Sequence, residues 1–338
     1  MTRVLYSLFF TGSSMVLLFA CAKSDSSSTT TVGNWIRRSD FDGVARSEAV
    51  SFVIGDTAYI GTGYDGTVRL KDFWKYDVTN NFWVQKADLP GDARSSAVGF
   101  STNTKGYVGT GYNGIDKLKD FWEFNPQAAV SWTRKSDFAG SARYDAVGFG
   151  INDKGYITTG FDGNALKDFY EYNPANDTWT LKPGIGGTKR SGATAFVYQG
   201  KAYLCTGINN GSSATVNDFW VFDQAADQWT EKNFISNVST ETFDDAYAIV
   251  RSNAVSFVMN GKGYVSCGEN GAILKDTWEY DFTTDQWTKK TDWEGLERTG
   301  AAAFSVKNRG FLLTGRNSTY RFDDMREFFP ADTYNAND

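Results

Sequence analysis

Six copies of a unit of about 48 residues follow one another between Trp35 and Phe329, and a chain with this period has few folds open to it. Each copy opens on an arginine followed by small residues and reaches a glycine after Thr or Cys. It then places an aspartate before alternating aromatics and, in five copies, closes on a tryptophan. The arginines Arg46, Arg94, Arg143, Arg190, Arg251 and Arg298 step by 48, 49, 47, 61 and 47, and the glycines Gly63, Gly111, Gly160, Gly207, Gly268 and Gly315 keep the same steps. Self-similarity at a fixed period near 50 residues marks a repeat array whose units cannot each bury a core alone.

The first copy gives the local structure. Ser47 to Ile54 alternates and is rich in β-formers, Gly55-Asp56 is a tight-turn pair, and Thr57 to Gly63 is a second strand, so the two form a hairpin. A loop from Tyr64 to Lys71 leads to a third strand, Asp72 to Asp77, and the turn Val78 to Asn81 leads to a fourth, Phe82 to Lys86. Four antiparallel strands per unit, with no helical periodicity, make a propeller blade. The expected fold is all-β: a six-bladed propeller of residues 34–329 with a polar tail, 330–338. Ala49, Ala97, Ala146, Ala193, Ala254 and Ala301 share one position of the inner strand. Bulk crowding the axis there would cost on the order of 1–3 kcal/mol per site.

Tyr76 and Trp83 stand seven apart, as do Tyr172 and Trp179, Phe222 and Trp229, and Tyr280 and Trp287, while Phe124 and Trp132 stand eight apart. An aromatic pair of this kind after a glycine-ended second strand resembles the kelch family. One departure is that kelch members carry a glycine doublet where this chain has Gly-Thr-Gly, Thr-Thr-Gly or Ser-Cys-Gly. The WD40 alternative needs Gly-His dipeptides, and the chain has no histidine. The resemblance extends to galactose-oxidase-like propellers, but their copper needs histidine ligands, so no metal and no cofactor is expected.

The last copy ends at Phe329-Pro330 before a fourth strand, whereas Trp35-Ile36-Arg37-Arg38 reads like Trp83-Val84-Gln85-Lys86. The N-terminal segment is therefore expected to dock as the outer strand of the sixth blade and remove an open edge. A fourth strand running on from Phe329, seven after Phe322, is the alternative.

Residues 1–20 read as an export signal: Arg3 is their only charge, and Val4 to Ala20 is mostly apolar and short for a membrane span. Leu18-Phe19-Ala20-Cys21 resembles a bacterial lipobox, which implies lipidation at Cys21 and a lipoprotein of the cell envelope. Ala22 after the cysteine resembles an outer-membrane address. Residues 21–33, low in complexity, read as a flexible tether. The membrane is expected to be met only through the lipid. Net charge is −6, so a basic footprint for nucleic acid is missing and such a partner is disfavoured. Cys205 and Cys267 sit two residues and one residue before their glycines, so they point to opposite faces and are expected as buried thiols.

A ligand is expected on the face that carries the loops joining second to third strands and the linkers joining blades. Asx-Gly pairs there are ordinary turn chemistry. Turns do not require Tyr64, Tyr112 or Phe161, whose rings can stack on a sugar, anchor a peptide, or pack between blades. The six arginines sit near the channel mouth, where like charges about 8 Å apart cost roughly 2 kcal/mol per pair. They are expected to pair with a structural ring of acids: Asp72, Asp120, Asp168, Asp218, Asp276 and Asp324. A sharper reading leaves some of them open to an acidic partner, as in kelch propellers that hold acidic peptides or carboxylated sugars. The linker 233–250, which is about a dozen residues longer than the others and carries Glu241, Asp244 and Asp245, is a further candidate. No catalytic residue stands out from the repeat. The leading expectation is a non-enzymatic binding module for a protein, peptide or glycan. The alternatives are an enzyme acting on sialic acid or a scaffold in an envelope complex.

Overall fold

The computed structural model describes residues 32–210, 214–236 and 248–337. Cys21 and the linker acids Glu241, Asp244 and Asp245 lie outside the described residues. Six four-stranded antiparallel sheets form the six blades. In blade one, Val50–Ile54 pairs with Thr57–Gly61, that strand with Phe73–Asp77, and that one with Phe82–Lys86. The seven-residue aromatic spacing is a cross-strand pair: Tyr76 lies opposite Trp83 with ring centroids 4.8 Å apart. The core lies between blades. Phe73 of blade one meets Phe124 and Trp132 of blade two at 6.2 and 5.0 Å, and burying rings of this size contributes about 1.5–3 kcal/mol each.

The inner strand starts at Val50, three residues later than the alternation suggests, because Glu48 turns into the left-handed region with φ 58°. Its counterparts Ser96, Asp145, Gly192, Asn253 and Gly300 do the same, with φ between 52 and 61°. This turn aims each N–H around the axis. Ser96 donates to the Glu48 carbonyl, Asp145 to Ser96, Gly192 to Asp145, Asn253 to Gly192, Gly300 to Asn253, and Glu48 to Gly300. These six bonds of 2.7–3.1 Å close into a ring. The alanine that follows each member lines the channel.

A second ring of bonds runs outside the first. The glycine ending each second strand donates its N–H to the carbonyl of the next blade's arginine, as Gly63 does to Arg94 at 2.7 Å. To present that N–H, the residue before the glycine also takes a positive φ, 59–63° at Thr62, Thr110, Thr159, Thr206, Cys267 and Thr314. A β-branched residue is strained there. The first member of a glycine doublet would adopt this conformation freely, which gives the Thr-Gly departure its structural meaning.

Asn34–Arg37 is the outer strand of blade six, paired antiparallel with Met325–Phe329 in the register Trp35 opposite Phe328. Trp35 is fully buried, stacks on Phe328 at 4.5 Å and meets Trp293 edge-on at 5.0 Å. Phe329 belongs to the third strand of that blade, and among the described residues no fourth strand runs on from it. The tail hooks onto the closing segment, with Gly33 donating to the Asp332 carbonyl and the Asn335 N–H to Asn34 Oδ1. Cys205 and Cys267 are buried free thiols whose pKa values burial pushes up to about 12 and about 11.

Candidate interaction face

The six repeat arginines do not stand at an open mouth. Arg46, Arg94, Arg143, Arg190, Arg251 and Arg298 all have zero exposure. Each guanidinium is paired with the aspartate of its own blade: Asp72, Asp120, Asp168, Asp218, Asp276 and Asp324 in order, at 2.6–2.9 Å in five of the six pairs. Further donors engage backbone carbonyls. Arg94 Nε donates to the Asp92 carbonyl and Nη1 to the Thr110 carbonyl, and the other five repeat this pattern. The arginine thereby grips the strained residue before the glycine. A plug residue packs against several of these guanidinium planes, with Phe41, Phe138 and Trp293 lying 4.9, 4.9 and 4.5 Å from their partners. The expectation that some of the six meet a ligand is therefore corrected: all six are fully buried and already paired inside the blade.

Burial on its own would raise the partner carboxylates, but the arginine fork outweighs it and holds Asp72, Asp120 and Asp276 below the usual range. Trp74, Trp122 and Trp278 donate their indole N–H to these three aspartates, and Trp220 donates likewise to Asp218.

The open cations are others. The residues that bridge back to the start of the loop between second and third strands are Arg69, Lys117, Ala165, Thr215, Ile273 and Arg321, so only blades one, two and six carry charge there. The Arg69 guanidinium lies 4.6 Å from the Tyr64 ring and 4.8 Å from the Tyr112 ring, between blades one and two. Arg321 of blade six lies 4.9 Å from Tyr64. Among the described residues neither arginine forms an ion pair, and both Nε atoms are buried with no hydrogen-bond partner. Nearby Asp65 is engaged in its own turn, accepting from the Thr67 and Val68 N–H groups at 2.7 Å. The turn glycines admit the arginines: a Cβ on Gly66 would sit 2.9 Å from Arg321 Nη1, and one on Gly114 equally close to Arg69 Nη1.

The structure therefore gives the three proposed aromatics different settings. Tyr64 and Tyr112 are half-buried, their hydroxyls donate to the Gly66 and Gly114 carbonyls, and cations cover their rings. Phe161 has no cation above it among the described residues and meets Tyr144 at 5.5 Å, which in turn meets Tyr112 at 5.7 Å. Tyr144 escaped the sequence reading. Its signal was a break in pattern, since the residue after the repeat arginine is Ser47, Ser95, Ser191, Ser252 or Thr299 in the other blades. Exposed apolar side chains flank the cations: Val68, Ile115 and Tyr320 at the loop tips are 53%, 85% and 61% exposed.

Inside the arc, the channel mouth holds a cavity of about 150 Å³ lined by the axial ring and the alanines. Asp145 keeps some exposure to it, but burial and the charges of Glu48 and Glu269 raise its pKa to about 7. Ser96 donates to Glu48 at 3.2 Å and Asn253 to Glu269 at 2.9 Å.

Comparison with known proteins agrees with this geometry. The family model described as the KLHDC2/KLHL20/DRC7 Kelch-repeats domain matches residues 136–315, more than half of the chain. The solved structure of YjhT superposes with a TM-score of 0.69, covering 84% of this chain and 95% of that one at 17% identity. At that identity the likeness speaks for the fold alone. No curated protein sequence matches.

Proposed function

The chain belongs to the kelch-repeat family, and from that premise we propose that it is a binding module whose loop face, across blades six, one and two, receives an acidic segment of a partner protein. The observation that carries this reading is the pair Arg69 and Arg321. Arg69 is held between the Tyr64 and Tyr112 rings, Arg321 lies against the Tyr64 ring, and neither forms an ion pair with a carboxylate among the described residues. Guanidinium groups fixed in this way have little entropy left to lose on binding, and they present unspent donors to carboxylates. Lys117 extends the charge, while Val68, Ile115 and Tyr320 supply exposed apolar surface. Aromatics and arginine are the residue types that dominate interface energies.

Display on the cell envelope belongs to the same reading. Cys21 carries the lipid, residues 21–33 form the tether, and the propeller stands off an outer membrane. Metabolic labelling with an alkyne-tagged fatty acid should mark the protein and spare Cys21→Ala. Equal labelling of both removes the anchor.

A displayed 12-residue peptide library panned against the protein tests the binding face. The expected outcome is an Asp/Glu-rich consensus whose members bind the Arg69→Ala/Arg321→Ala variant at least tenfold more weakly. Peptides of no common charge, or equal affinity for the variant, would defeat the reading.

A further inference from the structure

We propose that the groove between blades three and four is a saccharide-binding site with Phe161 as its stacking platform. It lies apart from the cationic arc and rests on a different observation. Tyr64 bridges to Arg69 and Tyr112 to Lys117, and Arg69 lies over both rings. Phe161 bridges instead to Ala165, which is buried and cannot reach over the ring. Tyr144 approaches Phe161 at 57° between ring planes. Among the described residues no cation covers Phe161, and the residue lines a cavity of about 480 Å³.

The other walls are polar. Asp162, Asn164, Lys189, Asn209 and Asn210 come from the two loops and the linker between them. Two of them are fixed in place before any ligand arrives. The Asn164 N–H donates to Asp162 Oδ1 at 3.0 Å, and Ser191 Oγ donates to Asn210 Oδ1 at 2.7 Å, leaving the N–H groups of the Asn210 amide for another acceptor.

A pyranose ring has an apolar C–H face and a rim of hydroxyls that both donate and accept. A phenyl ring with no hydroxyl suits the first, and a carboxylate, amides and an ammonium suit the second. With one carboxylate, Asp162, and one ammonium, Lys189, in its lining the groove has no net preference for an anion, which separates it from the blades six-to-two arc. Its volume falls within the ~300–1,000 Å³ range of small-molecule sites, enough for one or two sugar rings.

Saturation-transfer NMR on the full chain with cellobiose, maltose, lactose and N,N′-diacetylchitobiose tests the proposal. Transfer to ring C–H protons is expected for at least one of the four. It should fall at least tenfold in Phe161→Ala, persist in Phe161→Trp, and persist in Arg69→Ala. Asn210 is exposed, so Asn210→Ala gives the same loss without touching the packing, should Phe161→Ala fold poorly. The proposal is overturned by absence of transfer from all four sugars, by transfer undiminished in both Phe161→Ala and Asn210→Ala, or by transfer lost in Arg69→Ala.

Discussion

Gly315 donates its backbone N–H to the Arg46 carbonyl at 2.8 Å, so the last blade is bonded to the first by the contact that joins every other pair. The axial ring closes in the same way through Glu48 and Gly300 at 2.7 Å. Two concentric rings of inter-blade bonds therefore run without a seam, and only the outer edge of blade six depends on a distant part of the chain.

That dependence gives the first prediction. Trp35→Ala removes a fully buried ring stacked on Phe328, at an expected cost of about 3–5 kcal/mol. Deleting residues 34–38 should cost more, because it also bares the edge of Met325–Phe329. Thermal melting reads both, and an unchanged midpoint for the deletion would mean the strand does not close the ring.

Arg94→Ala should destabilise by about 3–5 kcal/mol, since it strands Asp120 and frees the Thr110 carbonyl. The paired replacement Arg94→Met/Asp120→Leu should recover part of that loss. Urea midpoints measure both, and a single variant as stable as the parent would show that the ion pair is dispensable.

Acid should unfold the protein through the same pairs. The folded pKa values of Asp72, Asp120 and Asp276 lie below the ordinary 3.8, so their contribution is full above that value and is lost as pH falls through the lower folded values. Asp145 behaves oppositely. Its folded pKa is raised to about 7, so it costs stability progressively as pH rises from 3.8 to about 7, and the cost stays constant above that. Asp145→Asn should therefore stabilise at pH 8 by on the order of 1–3 kcal/mol and have little effect near pH 4. Urea melts at the two pH values check the sign, and a gain confined to low pH would contradict it.

The buried thiols of Cys205 and Cys267, with raised pKa values, should stay silent to a thiol reagent at pH 8 until the protein is unfolded. Rapid labelling of either in the folded protein would show that its blade opens.

The blades, their number and the closing strand were legible because repetition multiplies weak local signals: one Tyr-Trp pair means little, whereas its recurrence fixes a register. The same repetition misled the reading of the site. Arg46 and its five counterparts drew attention by recurring, yet a residue needed in every blade is needed by the blade. Arg69, Arg321 and Tyr144 break the pattern, and only the fold shows that loops from blades six, one, two and three bring them side by side. The axial ring was hidden for another reason: Glu48, Ser96, Asp145, Gly192, Asn253 and Gly300 share a backbone conformation and no side-chain chemistry.

The central claim is that cations outside the repeat pattern recognise the partner while cations within it hold the blades. Titration calorimetry of an Asp/Glu-rich library peptide against Arg69→Ala/Arg321→Ala tests this most directly, with the melting midpoint of the same sample as control. Affinity should fall at least tenfold at an unchanged midpoint. Undiminished affinity in a folded double variant would contradict the claim.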